Sequence, residues 1–389
     1  MPDVAIVGTG QTDHKSRRED VNIPELVREA VDRALADAGV TFAEIDAVCF
    51  GNMDLFEGLA ENEHWLASAF GAQGKPLLKF NTGGTVGTST TMGAYYLLKA
   101  GTYGRILAVG FEKQSEGNSQ GAITTVGDPI WERPMMAGAI GNHAVMASTY
   151  VADSGVTEEQ AAKVAVKARL NACRNPHAHL KLPDITVEQV LESKMLAYPL
   201  RTLDMCPTSN GACAMVMAGD GHAQRLAARP AWIGAVASAH DQSFQGDSPK
   251  RMSEMRSLIA VRERLYAKMG ITDPVKQLDV AEIYEPQTYA ELAMCENLLF
   301  CEKGGGGRFI DAGIPLIDGG LPVNPSGGVL STNPIGATAM IRVAEAAMQV
   351  MGRAGDHQVK PDVQMALATG YGGNAWSDAL ILTARQPSR

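Results

Sequence analysis

The sequence predicts an α/β fold made of two similar halves, each a mixed sheet covered by helices, with a helical insertion between them. Three observations predict it. Short all-apolar runs alternate with amphipathic stretches of helical period. One order of elements, strand, helix, strand, glycine turn, buried helix, strand, occurs twice along the chain. Each copy also sets a glycine-rich turn directly before an apolar helix. Alternation of this kind packs helices on sheets rather than separating them into all-α and all-β domains. With 389 residues, 45% of them hydrophobic, the chain has enough material for two or three domain-sized units.

In the first half, Val4-Ala5-Ile6-Val7-Gly8 reads as a short strand ending in Gly8-Thr9-Gly10. A Gly-x-Gly after a first strand can open a dinucleotide fingerprint, but its third glycine and its acidic partner on a second strand are missing. We therefore read it as a strand-end turn. The spacing of Leu26, Val27, Ala30, Val31 and Ala34 predicts a helix over 23–38, stopped by Gly39. Residues 45–50 form a second strand. Phe80-Asn81-Thr82-Gly83-Gly84-Thr85-Val86-Gly87 is a tight turn that runs into an apolar helix over 90–100, and 105–110 is the next strand.

The second half repeats these elements: strands over 231–237, 280–284, 364–369 and 379–383, and helices over 253–269, 288–299 and 337–351. Its glycine turn is Ser326-Gly327-Gly328. Between the halves the pattern changes. A helix over 154–171 starts with Thr157 as N-cap and Glu158 and Glu159 in its first turn, where negative charge favours the helix dipole. A loop with proline and histidine follows, then a helical stretch over 186–194. The expected division is 1–114 with 226–240 for the first half, 115–225 for an inserted helical cap, and 241–389 for the second half.

A net charge of -9, with lysines and arginines scattered, argues against a nucleic-acid partner, which demands a basic face. The N-terminus lacks the basic and apolar regions of a signal peptide. No apolar run approaches the roughly 20 residues of a membrane helix, so the expectation is a cytoplasmic protein without a membrane partner. The six cysteines show no CxxC spacing and are expected to be reduced and buried. The eight histidines form no ligand motif, and His177 and His179 sit in a polar loop, so no metal site is expected.

Ordered motifs along the whole chain resemble the sterol-carrier-type branch of the thiolase superfamily. They include Val166-Lys167 through Asn171, Asn175-Pro176, 185–191, Pro199-Leu200-Arg201-Thr202-Leu203-Asp204-Met205-Cys206 and Asn210-Gly211-Ala212. Asn324-Pro325-Ser326-Gly327-Gly328 through Asn333-Pro334-Ile335-Gly336-Ala337-Thr338 resembles the family's Asn-Pro-Ser-Gly-Gly and Gly-His-Pro signature. The resemblance implies a five-layered αβαβα fold, a homodimer, and acyl-coenzyme A thioesters as ligands, with no cofactor beyond the coenzyme A of the substrate.

The departures fall on the family's chemical positions. Gly84 stands where thiolases carry the nucleophilic cysteine. Asn333 replaces the histidine that activates it, in a loop one residue shorter. The second cysteine, an acid/base, falls at Ala368 or within a residue of it, in Ala368-Thr369-Gly370-Tyr371-Gly372-Gly373. Tyr284-Glu285-Pro286-Gln287 replaces the His-Asp-Cys-Phe or Asn-Glu-Ala-Phe motif.

Covalent acyl transfer needs an activated nucleophile beside a base. Thr85 is the nearest hydroxyl, and no neighbouring histidine or lysine activates it. Cys295 and Cys301, at a helix end, read as packing. Oxyanion holes made of backbone amides survive loss of the sulfur, so Gly84 and Gly370 are expected to hold a thioester oxygen. Enolate stabilisation with an acid/base suffices for retro-aldol cleavage of a β-hydroxyacyl-coenzyme A. Tyr284 and Tyr371 are the candidate acid/base groups, since a phenol both donates and accepts. Asn333 is expected to donate its amide to the thioester oxygen, with Thr85, His143 and Glu285 as further substrate contacts. Thiolase-like steroid side-chain retro-aldolases also lack the cysteine and use tyrosine, one of them near the Gly-His-Pro position, where this chain has Asn333. Two other functions remain open: an atypical thiolase or acyltransferase, and an inert thioester-binding subunit. The resemblance also implies a small zinc-ribbon and OB-fold partner, giving a heterotetramer.

Overall fold

The computed structural model describes residues 1–58, 61–134, 138–241, 253–373 and 375–387. Strand β1 (Val4–Gln11) is followed by α1 (Ile23–Ala38), β2 (Ala47–Gly51), β3 (Leu77–Phe80), α2 (Val86–Lys99) and β4 (Arg105–Lys113). Then come α3 (Gly138–Ser154), α4 (Glu158–Ala172), α5 (Val187–Glu192), β5 (Asn210–Gly219) and β6 (Ala231–His240). The second half continues with α6 (Arg256–Met269), β7 (Val280–Glu282), α7 (Thr288–Asn297), α8 (Ile335–Met351), β8 (Met365–Tyr371) and β9 (Trp376–Thr383). Several helix starts follow from local chemistry. Asn22 caps α1 by accepting the Glu25 N–H while the Glu25 carboxylate accepts the Asn22 N–H, and Thr157 and Gln160 do the same for α4.

Among the described residues these nine strands form one sheet in the order β3-β2-β4-β5-β1-β6-β9-β8-β7. The duplication is visible in its pairing. In the first half β2 runs parallel to β3 and β4, and β4 and β1 flank β5 antiparallel. In the second half β7 runs parallel to β8, and β8 and β6 flank β9 antiparallel. A parallel bridge from Ala281 to Val323 stands where β3 stands in the first half. The halves join edge to edge through two pairs, Ala5 with Trp232 and Ile6 with Ala231.

Side-chain alternation then builds five layers. Ala5, Val7, Leu107 and Val109 face α1 in an outer core. Val4, Ile6, Ile106, Ala366 and Leu380 face inward onto α2 and α8, which are shared by both halves. Leu367, Ala379 and Ile381 face α6 and α7 on the opposite outside. This is the expected αβαβα arrangement.

Three expectations change. The excursion between the halves ends before 210, not at 225, because Asn210–Gly219 is a fully buried strand in the sheet interior. Its residues are small and apolar on both faces, so no period-2 alternation marked it. Residues 231–240 pair with β9 over most of their length, which ties them to the second half rather than the first. Gly8-Thr9-Gly10 is no turn; it lies inside β1. A Cβ at Gly10 would overlap the Ala30 carbonyl oxygen, so glycine lets α1 lie directly on the strand. Residues 242–252, at the start of the expected second half, lie outside the described residues. No described helix is long and apolar enough to cross a membrane.

Candidate active site

Loops from both halves and from the excursion converge on a cavity of about 350 Å³, within the size range of small-molecule sites. Gly83 and Gly84 reach it just before α2, Tyr284 just after β7, Asn333 and Ile335 at the start of α8, and Tyr371, Gly372 and Gly373 from the β8–β9 turn. Helix α3 contributes Ile140, Asn142 and His143, and the segment before β5 contributes Met205 and Cys206. One end is polar. Met53, Phe56, Ile123, Val126 and Leu196 make the rest apolar.

Three rings stand in a row at the polar end. Tyr371 lies between Tyr284, at 6.0 Å between ring centres, and His143, at 6.2 Å. The Tyr284 backbone is held by its N–H donating to Thr369 Oγ1 at 2.9 Å. Met146, one turn after His143, meets the Tyr371 hydroxyl at 3.9 Å and the Gln287 amide at 3.8 Å through its sulfur. Burial pushes both phenols above their usual range, so both hold their protons at neutral pH. Burial also lowers the His143 imidazole to about 4, so it is neutral.

A side-chain chain runs along the floor. Thr338 Oγ1 donates to Asn333 Oδ1 at 2.8 Å, and its presence near the Tyr284 phenol partly offsets the upward shift that burial causes there. Asn333 Nδ2 donates to Cys206 Sγ at 3.2 Å. The Asn333 backbone is pinned as well, its N–H donating to Ser209 Oγ at 3.1 Å and its carbonyl accepting from Gln114 Nε2 at 2.6 Å.

Gly84 decides what chemistry is possible at the helix start. A Cβ built there would overlap the carbonyl oxygen of Tyr371. The space a nucleophilic side chain would need is taken by backbone from the other half. Residues 4–220 match the thiolase N-terminal domain family, and residues 251–385 match the thiolase C-terminal domain-like family. The chain belongs to the thiolase family.

Within the thiolases it is similar to an acetyl-CoA acetyltransferase of Methanothermobacter thermautotrophicus, with 30% identity over 389 residues, covering 99% of this chain and 100% of that protein. It is 27% identical over 391 residues to sterol carrier protein 2 of Bos taurus, covering 95% of this chain and 70% of that protein. Among solved structures, a chain of the Ltp2–ChsH2(DUF35) aldolase superposes with a TM-score of 0.84 at 26% identity, covering 98% of both chains. The sterol-carrier-type resemblance read from the motifs is thereby borne out.

In this thiolase-family chain the cavity gathers five of the residues singled out in the sequence: Tyr284, Tyr371, Asn333, Gly84 and His143. Three others lie outside its lining. Thr85 is buried and its hydroxyl donates to the Thr82 carbonyl at 2.7 Å, closing the turn on itself. Gly370 is inside β8, paired with Asp378, and the residues that reach the cavity are the next three. Glu285 alternates away from Tyr284 and accepts the Leu330 N–H at 3.2 Å; burial, with Glu291 adding to it, raises its carboxyl to about 8. Asn333 lines the cavity with one amide N–H given to Cys206, which leaves the second N–H of the same amide for a ligand.

Sequence reasoning passed over Cys206, a partly exposed thiol in the cavity. Its motif was read as a family marker, and it was expected to be buried with the other cysteines; instead Cys206 and Cys301 are partly exposed and Cys173 is exposed.

Proposed function

We propose that the chain cleaves a β-hydroxyacyl-coenzyme A by retro-aldol chemistry without a covalent intermediate. The observation that carries this reading is the occupied space at Gly84: no nucleophile fits there, yet the helix start and its amides still border the cavity. The N-terminal end of α2 carries partial positive charge. Directed at a thioester oxygen, one such donor is worth roughly 3 kcal/mol as that oxygen becomes an enolate.

The remaining groups divide the proton work. His143, neutral, accepts the β-hydroxyl proton. The electron pair of that O–H bond forms the carbonyl of the leaving aldehyde or ketone, and the Cα–Cβ bond breaks toward the thioester. Tyr284 and Tyr371, both protonated, donate to the oxygens that gain charge. The apolar remainder of the cavity suits a bulky hydrophobic acyl group, such as a steroid or aromatic side chain.

The neighbour's name pairs its thiolase-like chain with a ChsH2(DUF35) chain, and with the family resemblance this leads us to infer a small zinc-ribbon and OB-fold partner that helps hold coenzyme A. We also infer a homodimer, supported by β3, a half-buried strand at the sheet edge. Light scattering of the purified chain, alone and with such a partner, tests both.

Incubation with a β-hydroxyacyl-coenzyme A bearing an aromatic side chain is expected to release the aldehyde and acetyl-coenzyme A. Tyr284→Phe and Tyr371→Phe are each expected to slow this about 100-fold or more. Full activity in both variants would sink the assignment. Acyl transfer is a second reading, favoured by the identity to the acetyltransferase and by a thiol in the cavity. Against it, burial pushes that thiol up to about 12. An acyl adduct in the intact mass would decide for transfer.

A further inference from the structure

Resting on the retro-aldol reading, we propose that Cys206 is the acid that returns a proton to Cα of the thioester enolate. That step needs a proton donor at carbon. The family's second cysteine falls at Ala368 or within a residue of it; Ala368 is fully buried in β8 and has nothing to give, and the buried Thr369 hydroxyl is held by accepting the Tyr284 N–H.

The thiol is placed by contacts that suit this role. Cys206 N–H donates to the Pro286 carbonyl at 3.1 Å, which ties it to the loop carrying Tyr284. Asn333 Nδ2 donates to Sγ at 3.2 Å, and the amide cannot turn around without losing the Thr338 bond to its oxygen. Because the sulfur accepts from Asn333, its own proton is left for another partner. Beneath it the buried Arg169 donates to the carbonyl of the adjacent Met205 at 3.2 Å. Once the proton leaves, the thiolate faces an amide donor and a guanidinium, both of which favour the charged form.

Resting protonation agrees with an acid rather than a nucleophile. Burial, with Glu285 adding to it, outweighs Arg169 and Asn333 and holds the thiol up to about 12. An enolate carbon is a far stronger base than that thiolate, so transfer runs downhill. The step balances. The β-hydroxyl proton goes to His143, and the Cα–Cβ pair becomes the enolate. The enolate takes the Cys206 proton to form the new Cα–H bond. The imidazolium then reprotonates the thiolate, so no proton is gained or lost and nothing is oxidised.

The test is exchange of the α-protons of propanoyl-coenzyme A in D2O, followed by NMR, which runs the last step in reverse without any β-hydroxyl. Wild-type protein is expected to exchange them, and Cys206→Ala and Cys206→Ser to slow exchange about 100-fold or more. Calorimetric binding of propanoyl-coenzyme A by the same variants shows that the cavity is folded. Wild-type exchange rates in both variants would overturn the role of Cys206 while leaving the retro-aldol reading in place. Exchange lost in the variants, with no cleavage of a β-hydroxyacyl-coenzyme A by wild type, would support the thiol's role and sink the retro-aldol reading. Binding without exchange by wild type, or an acyl group found on Cys206, would overturn both.

Discussion

Helices α2 and α8 hold equivalent places in the two halves and both begin at the cavity, but they bring different material to it. The α2 start offers backbone: Gly83 and Gly84, with no side chain and no room for one beside the Tyr371 carbonyl. The α8 start offers a side chain, Asn333, locked at both ends by Thr338 and Cys206. A duplicated scaffold gives two helix starts, and electrostatic stabilisation by amides and dipoles needs no particular side chain at either. Nucleophile chemistry can therefore be removed from one start while the charge-stabilising frame stays. The other start is then free to organise donors and acids.

The hardest blow to this contrast is a side chain at the backbone-only start. Gly84→Ala is expected to lose about 100-fold or more in cleavage, since it displaces the amides from the thioester oxygen. It should also cost about 1–3 kcal/mol from overpacking against Tyr371. Steady-state kinetics and thermal melts read both, and an active, equally stable G84A protein would show that the space is not needed. Gly84→Cys is expected to fail in the same way and not to gain thiolysis.

At the side-chain start, Asn333→Ala removes one anchor while leaving the backbone in place. The expected loss is about 5-fold in kcat, in keeping with roughly 1 kcal/mol for a neutral hydrogen bond, with little change in KM. A loss as large as that at Gly84 would mean that Asn333 contacts the thioester directly.

The pH profile separates the titrating groups. Burial holds His143 near 4 and both phenols above their usual range. Cleavage should stay flat from about pH 6 to 9 and fall only as acid protonates His143 toward pH 4. An inflection near the ordinary histidine value of about 6.5 would contradict the buried, neutral imidazole.

The smallest effect on catalysis is expected at Glu285, which faces away from the cavity. Its carboxyl is raised from 4.5 to about 8, so the folded state binds a proton more tightly than the unfolded one. Its contribution to stability is present below about pH 4.5 and is lost as pH rises toward 8. Glu285→Gln should keep cleavage unchanged and flatten the fall in melting temperature between pH 5 and pH 8. A drop in kcat would return Glu285 to the site.

Much of this was legible in the chain itself. The helix starts at Asn22 and Thr157 announce themselves through side chains three residues away, and the glycine turns mark both inner helices. What escaped were features without local contrast. Strand β5 is buried on both faces and so carries no alternation. Gly8 and Gly10 read as a turn because only the approach of α1 explains them. Tyr284 and Glu285 are neighbours in sequence, and only the direction of the backbone after β7 puts one in the cavity and the other behind it.

By itself the sequence determined the family, the layered α/β fold and the loss of sulfur at position 84, because these are written in residue identities and short-range periods. Tertiary structure alone decided that the vacated space is filled by the Tyr371 carbonyl, that Gly370 and Thr85 stay out of the cavity, and that Cys206 enters it. Those outcomes depend on how strands and helices from distant parts of the chain register against one another, and the register is set by packing of the whole core rather than by any one stretch of it.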